Sequence, residues 1–174
     1  MTTTIVSYGL AVSGLVLTAA ALFLLHMRRL TIAAANRLLV TQLGDNQIER
    51  AKKICAAAPG SYFDAIRAAI TALPQSKDRV DIDAAVHGAF EPIAKQLDRQ
   101  WRARAHRGLL GALLVAAGLG LQLGDGAAHT LIWMAAGLGA LGAIWLFALR
   151  GHMQQALASA RGEVLPVLVE AATR

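Results

Sequence analysis

The sequence predicts an all-α membrane protein: three transmembrane helices, N-terminus outside and C-terminus inside, extended into a cytoplasmic helical bundle. Three observations predict it. Of 174 residues, 56% are hydrophobic and only 16% are charged, with a mean hydropathy of +0.48, a richer apolar share than the roughly 45–50% of soluble domains. Residues 5–25 form an uncharged apolar stretch near the start, and residues 108–149 carry a single charge, Asp125. All 17 Lys and Arg fall within 28–107 or 150–174 and none within 1–27 or 108–149, so the positive-inside rule assigns both basic segments to the cytoplasm.

The first helix takes residues 1–26, with a short external N-terminus. Its 21 uncharged residues, 5–25, match the roughly 20 needed to cross about 30 Å of hydrocarbon. A cleaved signal peptide carries its positive charge before the apolar run. Here Arg28 and Arg29 follow it, which is the order of an uncleaved anchor.

The loop 27–107 is punctuated at Gly44-Asp45, Pro59-Gly60-Ser61 and residues 74–77, which divides it into four helical pieces. The first continues the membrane helix over 26–43. The second covers about 46–58 with Asp45 as N-cap. The third opens at Ser61, where Ser61-Tyr62-Phe63-Asp64 has the form of a capping box, and stops before Pro74. The fourth runs over 81–107 with Ile82, Val86, Phe90, Ile93, Leu97 and Trp101 as an amphipathic stripe. It passes into the bilayer as one rod, with a bend expected at Pro92.

The second span, 108–124, is short: its core of 16 residues, 108–123, is about 24 Å long. Arg107 is expected to snorkel and complete it. Arg28, Arg29, Arg99, Arg102, Arg104, Arg107 and Arg150 form the expected set of headgroup anchors. Gly124-Asp125-Gly126 begins an external turn, 125–129, and the third span follows over 130–149. The tail, 150–174, continues as helix until Pro166 disturbs it.

Helices in lipid associate through small residues that let backbones approach. On the first helix Ser7, Ala11, Gly14, Thr18 and Ala21 form such a face. On the second the candidates are Gly108, Ala112, Ala116 and Gly120, and on the third Ala135, Gly139 and Ala143. They serve packing within one subunit or contact between subunits. No ionisable group falls in a span centre, and Asp125 and His129 read as solvated turn residues.

Enzyme chemistry finds no foothold. The five His lack metal-ligand spacing. The single Cys, Cys55, excludes an intramolecular disulfide and reads as a buried helix residue with no nearby His to activate it. There is no Walker A loop and no nucleophile elbow. A net charge of +6 raises nucleic-acid binding, but the Arg cluster has no aromatic platform or Gly-rich loop beside it. No cofactor is expected.

Leu43-Gly44-Asp45, then Ala51, Cys55, Pro59-Gly60 and residues 65–70 are similar to the LxxGD, A, P and ALxxAL text of the TolQ/ExbB/MotA proton-channel family. Residues 107–112 resemble the GLLGT at the start of its second span, and residues 135–138 its third-span AAGL. The chain thus resembles a divergent three-span member. A second register, with GLLGT on residues 118–122, stays open.

The resemblance implies a bacterial inner membrane and a pentamer around a single-span ExbD/TolR-like partner. That partner's Asp carries protons, past Thr side chains of the second and third spans. In this chain Ala112 and Met134 stand where those hydroxyls would be, and Ala143 where a helix Pro would be. The expected function is the oligomeric helical scaffold of a proton-motive-force-driven stator or channel. The alternative is a non-conducting structural or accessory subunit of a larger membrane complex.

Overall fold

A computed structural model describes residues 2–26, 32–75, 78–124 and 130–174, all in helices or the turns between them. Among the described residues seven α-helices and one π-helical segment follow in order: α1 (Thr2–His26), α2 (Ile32–Gly44), α3 (Ile48–Ala56), α4 (Phe63–Thr71), α5 (Arg79–Gly124), α6 (Thr130–Ser159), the π segment (Ala160–Val164) and α7 (Leu165–Thr173). No strand occurs among the described residues. Three of these helices, α1, α5 and α6, are long and apolar enough to cross a membrane. The expected anchors Arg28 and Arg29, the 125–129 turn with Asp125 and His129, and the link from His26 to α2 lie outside the described residues.

The chain divides into two compact units. The apolar unit comprises Met1–Met27 and Trp101–Gly151, and the polar unit Arg28–Gln100 and His152–Arg174. The apolar unit is inside-out relative to a soluble domain. Many of its buried positions are small, among them Ser7, Ala11, Gly14, Gly111 and Gly118, while nineteen of the twenty-one large hydrophobic residues exposed among the described residues belong to it, Phe23, Leu113 and Ile144 each at about two-thirds exposure. Water would penalise that surface heavily, at about 25 cal/mol per Å², whereas hydrocarbon accepts it.

The polar unit is built as a soluble bundle, with amphipathic helices closing on Leu43, Ile66, Phe90 and Leu168. Its local punctuation differs from expectation at three points. Asp45 does not cap α3. Asn46 takes a left-handed φ of 58°, so the chain turns once more, and Gln47 becomes the N-cap without a side-chain bond. The Ser61 box is shifted: Ser61 Oγ accepts from Phe63 N at 3.3 Å, and Asp64 Oδ2 reaches back to Gly60 N, not Ser61 N, at 2.6 Å. That moves the start of α4 to Phe63.

The third difference is in the tail. Disturbance begins not at Pro166 but a turn earlier, in the π segment. Pro166 has no N–H to give the carbonyl four residues back, and its ring crowds that carbonyl. Widening the preceding turn removes the conflict, and Leu165 N instead bonds Ala160 O, five residues back. On α5 the helix continues through the exposed Pro92, and Ala94 takes the buried position in place of the half-buried Ile93.

Candidate functional site

The candidate site is the seam where α1, α5 and α6 of the apolar unit meet. On α1 the buried positions are Ser7, Ala11, Gly14, Thr18, Ala21 and Leu25, alternating steps of four and three, the 3.5-residue average that keeps one face on a neighbour. On α6 the buried face is Ile132, Ala135, Gly139, Gly142, Leu146 and Leu149. Ala135 and Gly139 are therefore in the seam, and Ala143 is half-buried at its edge.

The face of α5 departs from the expected one. Its buried positions are Gly108, Gly111, Val115, Gly118 and Gln122, while Ala112 is half-buried and Ala116 and Gly120 are exposed. A strict four-residue series turns about 400° per step on an α-helix and so drifts about 40° each time. Starting from Gly108, it has left the seam by Ala116. Open space surrounds Gly120 among the described residues, and Ala116 is exposed beside it.

Backbones touch at the centre of the seam. A methyl placed on Gly14 would collide with Gly111 O and stand 2.9 Å from Val115 N, and one placed on Gly111 would stand 2.7 Å from Thr18 Oγ1 and 2.9 Å from Thr18 N. Gly118 meets Ser7 O at 2.7 Å in the same sense, and Gly142 meets Thr18 Cγ2 at 2.6 Å. These pairings make α5 antiparallel to α1 and α6 parallel to it. Ala11, Val115 and Ala135, one from each helix, form a buried cluster.

The buried polar groups of the seam are few. Thr18 Oγ1 lies 2.9 Å from Gly14 O and 3.1 Å from Gly108 O, so its one proton is shared between its own helix and α5. Ser7 Oγ donates to Thr4 O at 3.0 Å. Both hydroxyls serve carbonyls. Met134 is exposed, pointing away from the seam. Among the expected headgroup anchors, Arg99, Arg102 and Arg107 are exposed, while Arg104 and Arg150 are half-buried. Because the three helices alternate in direction, Arg102, Arg104, Arg107 and Arg150 share the end at which α1 finishes.

The polar unit holds a cluster that sequence reasoning missed. Asn36, 1% exposed on α2, donates through Nδ2 to Ser159 Oγ at 3.0 Å and Glu163 Oε2 at 3.2 Å, and accepts from Tyr62 OH at 3.0 Å. The π segment brings Glu163 to this node. In sequence Asn36 is one polar residue in an Ala-rich helix, and nothing local distinguishes it. Cys55, fully buried nearby in the same unit, has its thiol pushed up to about 12, chiefly by burial. Burial likewise pushes the Tyr62 phenol upward. Among the described residues no three His, Cys, Asp or Glu converge as metal ligands.

Comparison with models of known protein families, with curated proteins and with solved structures finds no match for this chain.

Proposed function

We propose that this protein is a TolQ/ExbB/MotA-like inner-membrane subunit, forming the oligomeric helical scaffold of a proton-motive-force-driven complex while providing no proton route of its own. The observation that carries the second half is the use of the seam's hydroxyls. Ser7 and Thr18 bond to backbone carbonyls, and the two positions where the resemblance calls for hydroxyls hold Ala112 and Met134. A methyl and a thioether offer essentially nothing to a proton-bearing carboxyl or to water. A proton path through hydrocarbon needs ionisable groups or held water, so it must run between subunits or beside a partner's acidic side chain.

The first half rests on the resemblance and on the alternation of the three long helices, which suits a chain with its N-terminus outside and its basic ends inside. In this reading Ala116 and Gly120, left open on α5, are available for neighbouring subunits. The protein reconstituted alone into liposomes then shows no proton leak above protein-free vesicles in a pH-dye assay, and its detergent-extracted complex has a mass several times 18.3 kDa. Robust flux from this chain alone overturns the reading. Flux that appears only with a single-span acidic partner supports the stator role. A complex that stays silent with every such partner favours the second reading, a structural or accessory subunit.

A further inference from the structure

We propose that the groove between α2 and the π segment binds a small zwitterion, a molecule carrying one ammonium and one carboxylate. The groove holds about 540 Å³, within the roughly 300–1,000 Å³ of small-molecule sites. Asn36, Arg37, Val40 and Thr41 of α2 line one side and Glu163 of the π segment the other. All five belong to the polar unit, so the site is separate from the helix seam.

The carboxylate of Glu163 is held in place by a buried chain of polar groups. Tyr62 OH donates to Asn36 Oδ1, which fixes the orientation of the amide and commits Nδ2 to Ser159 Oγ and Glu163 Oε2. Replacing every member of such a chain by apolar side chains is nearly neutral for folding, so stability alone does not call for it. It does set a carboxylate in position before a ligand arrives. The π turn serves the same end, because such turns are frequent at functional sites and this one carries Glu163. Glu163 Oε2 takes the Asn36 bond, and Oε1 accepts none among the described residues.

The opposite charge lies in the same groove without meeting the first. Arg37 is exposed, and its guanidinium pairs with no carboxylate among the described residues, Glu163 included. Elsewhere in this unit Arg161 closes on Glu91 at 2.8 Å and Arg174 on Glu170 at 2.6 Å. Two unlike charges kept apart offer an acceptor to an ammonium and a donor fork to a carboxylate, and Val40 supplies apolar surface for the carbons that join them. A simple cation would be repelled by Arg37, and a simple anion by Glu163.

The test is isothermal titration calorimetry on the full chain in detergent. Glycine, β-alanine and γ-aminobutyrate are the probes, in order of increasing charge separation, and propylamine and butyrate are single-charge controls. The zwitterion whose length matches the groove binds about tenfold or more tightly than either control, since each control forfeits one charge-assisted hydrogen bond. Glu163→Gln keeps an oxygen for Asn36 but removes the charge, and it weakens that zwitterion by about tenfold or more. Arg37→Gln, at an exposed position that folding tolerates, does the same. Glu49→Gln and Lys53→Gln, exposed on α3, make the same charge changes outside the groove and leave binding unchanged.

No binding by any of the three zwitterions overturns the site, and controls that bind as tightly as the zwitterions overturn the two-charge recognition. Affinity that survives both Glu163→Gln and Arg37→Gln, or that falls equally with Glu49→Gln and Lys53→Gln, places the binding elsewhere and overturns the proposal as well.

Discussion

Gly14→Ala should loosen the helix seam measurably, because the added methyl has no room. It would collide with Gly111 O and stand 2.9 Å from Val115 N, and both obstacles are backbone, which no rotamer change can move. The helices must separate instead. Forcing a methyl into a packed contact costs about 1–3 kcal/mol. The same separation stretches the 3.1 Å contact between Thr18 Oγ1 and Gly108 O beyond hydrogen-bonding range, which adds about 0.6 kcal/mol, the typical value for such bonds between membrane helices.

A total near 2–3 kcal/mol follows for Gly14→Ala. Gly111→Ala should cost about the same, since it opens the same gap. The double substitution should then cost well under the sum, because neighbours that relieve one strain are not additive. Gly9→Ala, facing open space, should leave the unfolding curve in place. The assay is reversible unfolding in mixed micelles of detergent and denaturing detergent, followed by circular dichroism. Should Gly14→Ala unfold with the native protein, or Gly9→Ala cost as much as Gly14→Ala, the seam is not the contact that holds these helices.

Thr18→Val keeps the shape and removes the hydroxyl that serves Gly14 O and Gly108 O, so the same assay should show a loss of about 0.6–1 kcal/mol. Asn36→Leu strands Tyr62 OH and removes the bonds to Ser159 and Glu163; a loss of about 1–3 kcal/mol, read as faster proteolysis between α2 and α4, is expected, and unchanged proteolysis would count against the node. Cys55 should stay unreactive to thiol reagents at pH 8 until the protein is denatured, because burial raises its thiol from 9.0 to about 12. The raised value means that the folded state holds its proton after the unfolded chain has lost it, so this contribution to stability is complete below pH 9 and fades as pH climbs from 9 towards 12. A Cys introduced at position 125 should react with an impermeant maleimide from outside intact cells; labelling only after the inner face is opened would reverse the orientation.

The membrane character of the chain was legible in its linear composition. Spans of about 20 apolar residues and a one-sided distribution of Lys and Arg are properties of the string itself, and α1, α5 and α6 contain all three expected spans. The seam of α1 was legible for the same reason: Ser7, Ala11, Gly14 and Thr18 already alternate at steps of four and three, so the helix period alone gathers them on one side. The unbroken run of α5 past Gly108 also followed from local signals.

Tertiary structure decided what local pattern leaves degenerate. On α5 every position from 108 to 120 is small or aliphatic, so several faces compete, and only contact with α1 and α6 selects Gly108, Gly111, Val115 and Gly118 over Ala112, Ala116 and Gly120. The partners of Asn36 lie 26, 123 and 127 residues away, a separation over which no sequence period carries information. The π turn ahead of Pro166 depends on how far the preceding carbonyl can be displaced. Sequence determines which segments are helical and which solvent each prefers, because those are sums over neighbouring residues. Which side chains meet is set by backbone separation and register, quantities that exist only once the helices have packed.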